Sequence, residues 1–140
     1  MWLGGPPVIL LDTHALIWLA EGHPQLGDRA RQLADKALVH DDLGVSAITF
    51  WEIAMLHQRG RIQLMQPVEA WRQRLIDQGV REWPVTGEVG IAATTLLDFH
   101  PDPADRFITA TALLHGATLV TADDRILAWS GTLQRHDARQ

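Results

Sequence analysis

Val8-Ile9-Leu10-Leu11-Asp12-Thr13-His14-Ala15-Leu16-Ile17-Trp18 changes periodicity at a single aspartate. The four residues before Asp12 form a short, continuous apolar run of the kind found in a strand buried on both faces, and Pro6-Pro7 marks where that strand can begin. After it, Leu16, Ile17, Leu19 and Ala20 suit a short helix over Thr13–Glu21, stopped by Gly22 and Pro24. An aspartate at the end of a fully apolar strand costs several kcal/mol, by order of magnitude, if it is buried without partners. Asp12 therefore requires a cation, a set of donors or water.

The same alternation continues outward from this segment. Ala30, Leu33, Ala37 and Leu38 predict a second helix, and residues 45–49 read as the next strand. Ile53, Ala54, Leu56 and Ile62 recur at near-helical spacing, and residues 68–76 give another helical pattern ended at Gly79. Residues 80–85 suit a third strand, placed at a sheet edge because the Trp83-Pro84 pair brings a proline that cannot donate to a central ladder. Residues 88–97 read as helix and Pro103–His115 as the clearest helix of the chain. Thr118–Thr121 reads as a brief strand after Gly116, residues 123–129 as a short helix and 132–136 as a weak terminal strand. Strands alternating with helices in 140 residues predict one α/β domain over 1–140, a doubly wound parallel sheet with helices on both faces.

Composition narrows the chemistry. The apolar fraction of 46% suffices for a hydrophobic core, and the absence of cysteine removes disulfide scaffolds, zinc knuckles, iron–sulfur ligation and thiol nucleophiles, in keeping with a cytoplasmic setting. The opening stretch, residues 1–20, lacks a basic leader region and is interrupted by Asp12 and His14, so no membrane span is expected. The net charge is −5, and Lys36 is the single lysine beside eleven arginines. A general basic surface for nucleic acid is thereby excluded, and any such contact must be local. Neither a Walker-A loop nor a phospho-receiver site, each of which needs a lysine in a place this chain lacks one, can be built.

Ligands in open α/β sheets collect outside the carboxyl ends of the strands. Acids recur there: Asp12 after the first strand, Glu52 after the second, Asp105 in the first turn of the Pro103–His115 helix, and Asp123 two residues after Thr121. Each also suits helix capping. Thr49-x-x-Glu52 matches a capping box, Asp102 precedes Pro103 as an N-cap would, and Thr121-x-x-Asp124 is a further cap pattern. First-turn carboxylates gain roughly 0.3–1 kcal/mol from the helix dipole without any other role. If the acids converge, they repel one another unless a hard cation neutralises them, and Mg²⁺ or Mn²⁺ suits oxygen donors. Hydrolysis of a phosphodiester by a metal-activated water is the chemistry such a cluster fits best.

Four ordered segments resemble one family. Leu10-Leu11-Asp12-Thr13-His14-Ala15-Leu16-Ile17-Trp18 resembles the opening motif of PIN-domain proteins, particularly the VapC-type toxins of bacterial toxin–antitoxin pairs. Val45-Ser46-Ala47-Ile48-Thr49-Phe50-Trp51-Glu52-Ile53-Ala54 is similar to the second motif. His100-Pro101-Asp102-Pro103-Ala104-Asp105-Arg106-Phe107-Ile108, followed by Ala110-Thr111-Ala112-Leu113, resembles the third, and Leu119-Val120-Thr121-Ala122-Asp123-Asp124 the fourth. The resemblance runs from Val8 to about Trp129. It implies a five-stranded parallel sheet of order 3-2-1-4-5, Mg²⁺ or Mn²⁺ dependence, endonucleolytic cleavage of RNA, a homodimer, and a cognate VapB-type antitoxin protein as partner. Carried over position by position, it makes Asp12 and Asp105 the principal metal ligands. Glu52 would bind a second ion or orient water, and Asp123 would complete the catalytic cluster. Asp102 is then left as the N-cap and Asp124 as the capping residue of the fourth motif. Arg125 stands where some relatives carry another acid, which puts a five-carboxylate site in doubt.

Neighbouring residues leave alternatives. Thr13 suits hydroxyl support for Asp12 or local backbone bonding, and Arg106 suits a substrate phosphate or an ion pair with Asp105. His14 and His100 read as structural or surface histidines, and Trp18 and Trp51 as packing beneath the site. Arg59-Gly60-Arg61 and the Arg72/Arg74 pair suit part of an RNA track or solvated helix arginines. Two rival functions are a partner-docking module of the same fold without catalysis and a haloacid-dehalogenase-like hydrolase with Asp12 as nucleophile. The second needs another aspartate where His14 stands and a late lysine that is missing.

Overall fold

In the computed structural model, which describes residues 7–140, β1 (Ile9–Leu11) is the central strand of a five-stranded sheet. Met1–Pro6, including the first residue of the Pro6-Pro7 pair and the start of the opening apolar stretch, lies outside the described residues. The element order continues α1 (Thr13–Glu21), α2 (Asp28–Val39), β2 (Leu43–Ser46), α3 (Ala47–Gln58), α4 (Val68–Asp77), β3 (Arg81–Trp83), α5 (Gly87–Thr94), α6 (Pro103–His115), β4 (Thr118–Thr121), α7 (Asp124–Leu127) and β5 (Arg135–Asp137). The strands are all parallel in the order β3-β2-β1-β4-β5, as the resemblance implies. β3 takes the edge that Pro84 predicts.

Period-2 geometry explains the two cores. Ile9 and Leu11 of β1 point to one face and pack with Ala15 and Leu16 of α1, Ala30 and Ala37 of α2 and Ile53 of α3. Leu10 points to the other face and packs with Ile108 and Ala112 of α6 and with Leu119 of β4. All three strand residues are essentially without solvent exposure, so the continuous apolar run is the signature of a strand covered on both faces. At the edge, Gly44 of β2 makes room for the Trp83 indole: a Cβ there would lie 2.7 Å from Trp83 side-chain atoms. Trp83 in turn stacks on His115 at 4.2 Å between centroids.

The strand expected at 45–49 ends at Ser46 instead. The Ser46 hydroxyl accepts the Ile48 N–H at 3.2 Å and caps α3, so the β-branched residues Ile48 and Thr49 become the first turn of a helix. Helix 88–97 is shortened to Gly87–Thr94, with Thr86 as its cap, and the terminal strand shifts to Arg135–Asp137. Among the described residues no helix is long and apolar enough to cross a membrane.

Candidate metal centre

Three helix starts and one second turn meet beyond the carboxyl ends of β1, β2 and β4. Asp12 leaves β1 and caps α1, its Oδ1 accepting the Ala15 N–H at 2.9 Å. Asp102 caps α6 through the Asp105 N–H, with Pro103 following it, which puts Asp105 in the first turn. Asp123 caps α7, accepting N–H groups of Arg125 and Ile126. That corrects the expectation that Asp124 is the cap; Asp124 instead pairs with Arg139 at 2.7 Å. Glu52 lies on α3 one turn beyond its buried Thr49. Asp12, Glu52, Asp105 and Asp123, together with Asp102, all line one cavity of about 420 Å³.

Hydroxyl groups hold the acids, in pairings that the sequence alone does not reveal. Thr121, at the end of β4, donates to Asp12 Oδ2, while its own oxygen accepts the Asp123 N–H at 3.0 Å. Thr13 donates to Glu52 Oε1 and so supports Glu52, which is neither the hydroxyl support of Asp12 nor the local backbone bonding that the sequence suits. His100 is neither remote nor superficial: its Nε2 lies 2.7 Å from Asp105 Oδ2 with both side chains largely buried, and its ring stacks on Phe99. Arg106 turns away from the acids. Its guanidinium donates to the carbonyls of Ala93, Phe99 and His100, which makes it a clamp on the loop that carries His100. Trp18 is half-buried against the core and borders the cavity, whereas Trp51 is 54% exposed and does not underlie the site. Arg72 is committed to Glu82, and so is neither a free member of an RNA track nor merely a solvated helix arginine.

The electrostatics are those of an under-compensated acidic cleft. Burial pushes the Asp12 carboxyl up to about 6, against the Thr121 hydroxyl and Ala15 N–H that favour its ionised form. Burial likewise pushes Asp105 up to about 6; the His100 contact opposes it, and Asp102 and Asp123 reinforce it by repulsion. Burial acts in the same direction on Asp123, but the Arg125 side chain and backbone N–H outweigh it and hold that carboxyl below its ordinary value. His100, Asp105 and Asp123 each present a ligand atom within 4.8 Å of the others. Among the described residues, Asp12 and Glu52 belong to no such close group but line the same cavity. Carboxylate oxygens with one imidazole nitrogen suit Mg²⁺ or Mn²⁺, so the donor set fits a divalent cation.

Comparison with known proteins identifies the family. The family model of the PIN domain matches residues 9–129. Ribonuclease VapC22 of Mycobacterium tuberculosis is 42% identical over 120 residues, covering 84% of this chain and 88% of that protein. The solved VapBC-1 structure from nontypeable Haemophilus influenzae aligns with a TM-score of 0.68 at 20% identity, over 94% of this chain and 98% of the other. A toxin–antitoxin complex from Klebsiella pneumoniae aligns with a TM-score of 0.60 at 21% identity, over 93% and 97% of the respective chains. At those identities the structural likenesses speak for the fold. The family model covers most of the chain and agrees with the strand order and with the relative at 42% identity, and the chain therefore belongs to the PIN domain family.

Proposed function

We propose that this protein is a metal-dependent endoribonuclease and the toxin of a toxin–antitoxin pair. The observation that carries the reading is the gathering of Asp12, Glu52, Asp105 and Asp123, from distant parts of the chain, around one cavity. A relative at 42% identity is named a ribonuclease, and solved proteins of the same fold are toxin–antitoxin complexes. In this reading Asp105 and Asp123, with His100 beside them, hold a Mg²⁺ or Mn²⁺ ion, and Asp12 and Glu52 complete the catalytic set from the same cavity. The ion, when bound, supplies charge neutralisation of the phosphodiester and a water acidic enough to attack it. The chain's own residues do the positioning. Thr121 fixes the Asp12 rotamer, Thr13 fixes Glu52, and the Arg106 clamp holds the loop from which His100 reaches Asp105. Fixed acids place charge without reorganisation during the reaction.

The substrate in this reading is RNA, the protein partner a VapB-type antitoxin, and the setting the cytoplasm. A homodimer fits the exposed Ile91 of α5 and Leu113 and Leu114 of α6, apolar side chains on two helices that pack together.

The decisive assay incubates purified protein, freed of any antitoxin, with total RNA in Mg²⁺, Mn²⁺ or EDTA, beside Asp12→Asn and Asp105→Asn. Discrete fragments that vanish with EDTA and with either substitution are expected. Wild-type cleavage by folded Asp105→Asn protein would remove Asp105 from the site, and no cleavage in any metal would turn the reading toward a docking module.

A further inference from the structure

Arg125 occupies the second position of α7, and its guanidinium turns back over the acidic cavity. Nη2 lies 3.0 Å from Asp123 Oδ2 and 3.6 Å from Asp105 Oδ2. Nε is 3.3 Å from Asp123 Oδ1. The contact with Asp123 is local, two residues along the chain. The contact with Asp105 is not, since it joins α7 to α6 at the lining of the cleft. Asp105 and Asp123 are also the two carboxylates that, with His100, offer closely spaced ligand atoms. The Arg125 side chain is 59% exposed while that of Asp105 is 14% exposed, so a largely solvated arginine rests on a buried acid. The other arginine at this cavity, Arg139, is engaged by Asp124 and Asp137 and leaves the Asp105–Asp123 pair to Arg125.

We propose that Arg125 is an internal counter-cation of the metal centre, occupying the charge position between Asp105 and Asp123 and competing with the divalent ion for them. The inference rests on the metal-site reading above. A guanidinium and a metal ion draw on the same carboxylate lone pairs, and two cations cannot share that position without repulsion. The divalent ion wins because its charge is double and compact. The arginine leaves readily because its side chain is more than half exposed and is anchored only by a four-residue helix. Arg125 thereby lowers the affinity of the cleft for metal, and in the metal-free protein it relieves the repulsion between the acids.

The test is direct titration of Mn²⁺ into the EDTA-treated, dialysed full-length protein, following the free-Mn²⁺ electron paramagnetic resonance signal, with no RNA present. Wild type is compared with Arg125→Gln, Arg125→Lys and Asp105→Asn, each shown to be folded by circular dichroism. Removing the competing charge should tighten Mn²⁺ binding about tenfold in Arg125→Gln, the scale of one released charge pair with its repulsion toward the ion. Arg125→Lys, which keeps the charge but not the fork, should fall between. Arg125→Gln binding no tighter than wild type, while Asp105→Asn loses binding, would overturn the role of Arg125 and leave the metal site standing. Wild-type binding by Asp105→Asn would remove the metal site and the inference with it.

Discussion

Replacing Asp12 with asparagine should make the metal-free protein more stable while abolishing its chemistry. Asp12 is 6% exposed, and burial moves its carboxyl from an ordinary 3.8 to about 6. Between those values the native state binds more protons than the unfolded chain, so stability falls as pH rises through that window. Above it, the ionised form costs the native state on the order of 3 kcal/mol. Asparagine keeps an oxygen for the Ala15 N–H and offers an N–H₂ to the Thr121 oxygen. The Thr121 hydroxyl then lacks its acceptor, a loss of about 1 kcal/mol. The net gain is about 2 kcal/mol at pH 8, or about 7 °C in Tm for a chain of this length.

Melting curves in EDTA at several pH values measure this directly. The variant should melt above wild type in mild alkali, and its advantage should shrink as pH falls through about 6 and be lost below 3.8, where the wild-type carboxyl is protonated in both states. Saturating Mn²⁺ should reverse the order, because an ion at a hundredfold its Kd adds about 2.7 kcal/mol to whichever form binds it. A variant that melts at or below wild type in EDTA in mild alkali would refute the reasoning, since Asp12 would then be compensated by the protein alone.

Three further outcomes test the surroundings of the site. Glu82→Gln breaks a two-pronged contact with Arg72, at 2.6 and 2.8 Å, between α4 and the edge strand, and should cost about 1 kcal/mol near neutrality. Arg72 holds Glu82 below the ordinary carboxylate range, so this stabilisation is complete above that range and lost as pH falls through the lowered value. Urea midpoints of variant and wild type should therefore converge in acid, and a constant separation would contradict the pairing. Gly44→Ala drives a methyl group into the Trp83 indole and should destabilise by about 1–3 kcal/mol; an unchanged midpoint would mean that Trp83 moves freely off His115. Arg106→Ala leaves two loop carbonyls and the Ala93 carbonyl at the end of α5 without this donor and should quicken amide exchange over residues 93–100, where unchanged protection would show the clamp to be idle.

Where local chemistry punctuates the chain, the sequence was readable to the residue. The Pro103–His115 helix begins at the proline of an Asp-Pro pair and is capped by Gly116 with φ 60°, and both bounds match the expectation. Thr118–Thr121 is bracketed by Gly116 and Asp123 and matches as well. The junction of β2 and α3 was misplaced because two tendencies compete there. Val45, Ile48 and Thr49 favour strand by β-branching, and the Ser46 hydroxyl favours a helix start by capping; the cap prevailed. The supporting residues were harder still. Thr121 and Asp12 are 109 positions apart, and neither carries a mark of the other in the chain. Arg106 and Trp51 were misjudged because neighbours in sequence to a proposed ligand need not be neighbours in the cleft: on a helix the adjacent residue points about 100° away.

Capping and catalysis, weighed at first as rival readings of the same acids, turn out to be compatible. Asp12, Asp102 and Asp123 are N-caps of α1, α6 and α7, and Asp105 lies in the first turn of α6. A cap fixes its carboxylate through backbone N–H donors, and the other carboxylate lone pairs remain free to face the cavity. Three helix N-termini also bring partial positive charge to one place, which offsets part of the repulsion among the acids. The offset is incomplete, as the upward displacement of Asp12 and Asp105 records. That residual negative charge is what a cation would relieve, and in its absence Arg125 stands beside it. A sheet whose strands feed helices at one common edge assembles such a cleft from ordinary helix starts, and the acids need no backbone strain to meet there.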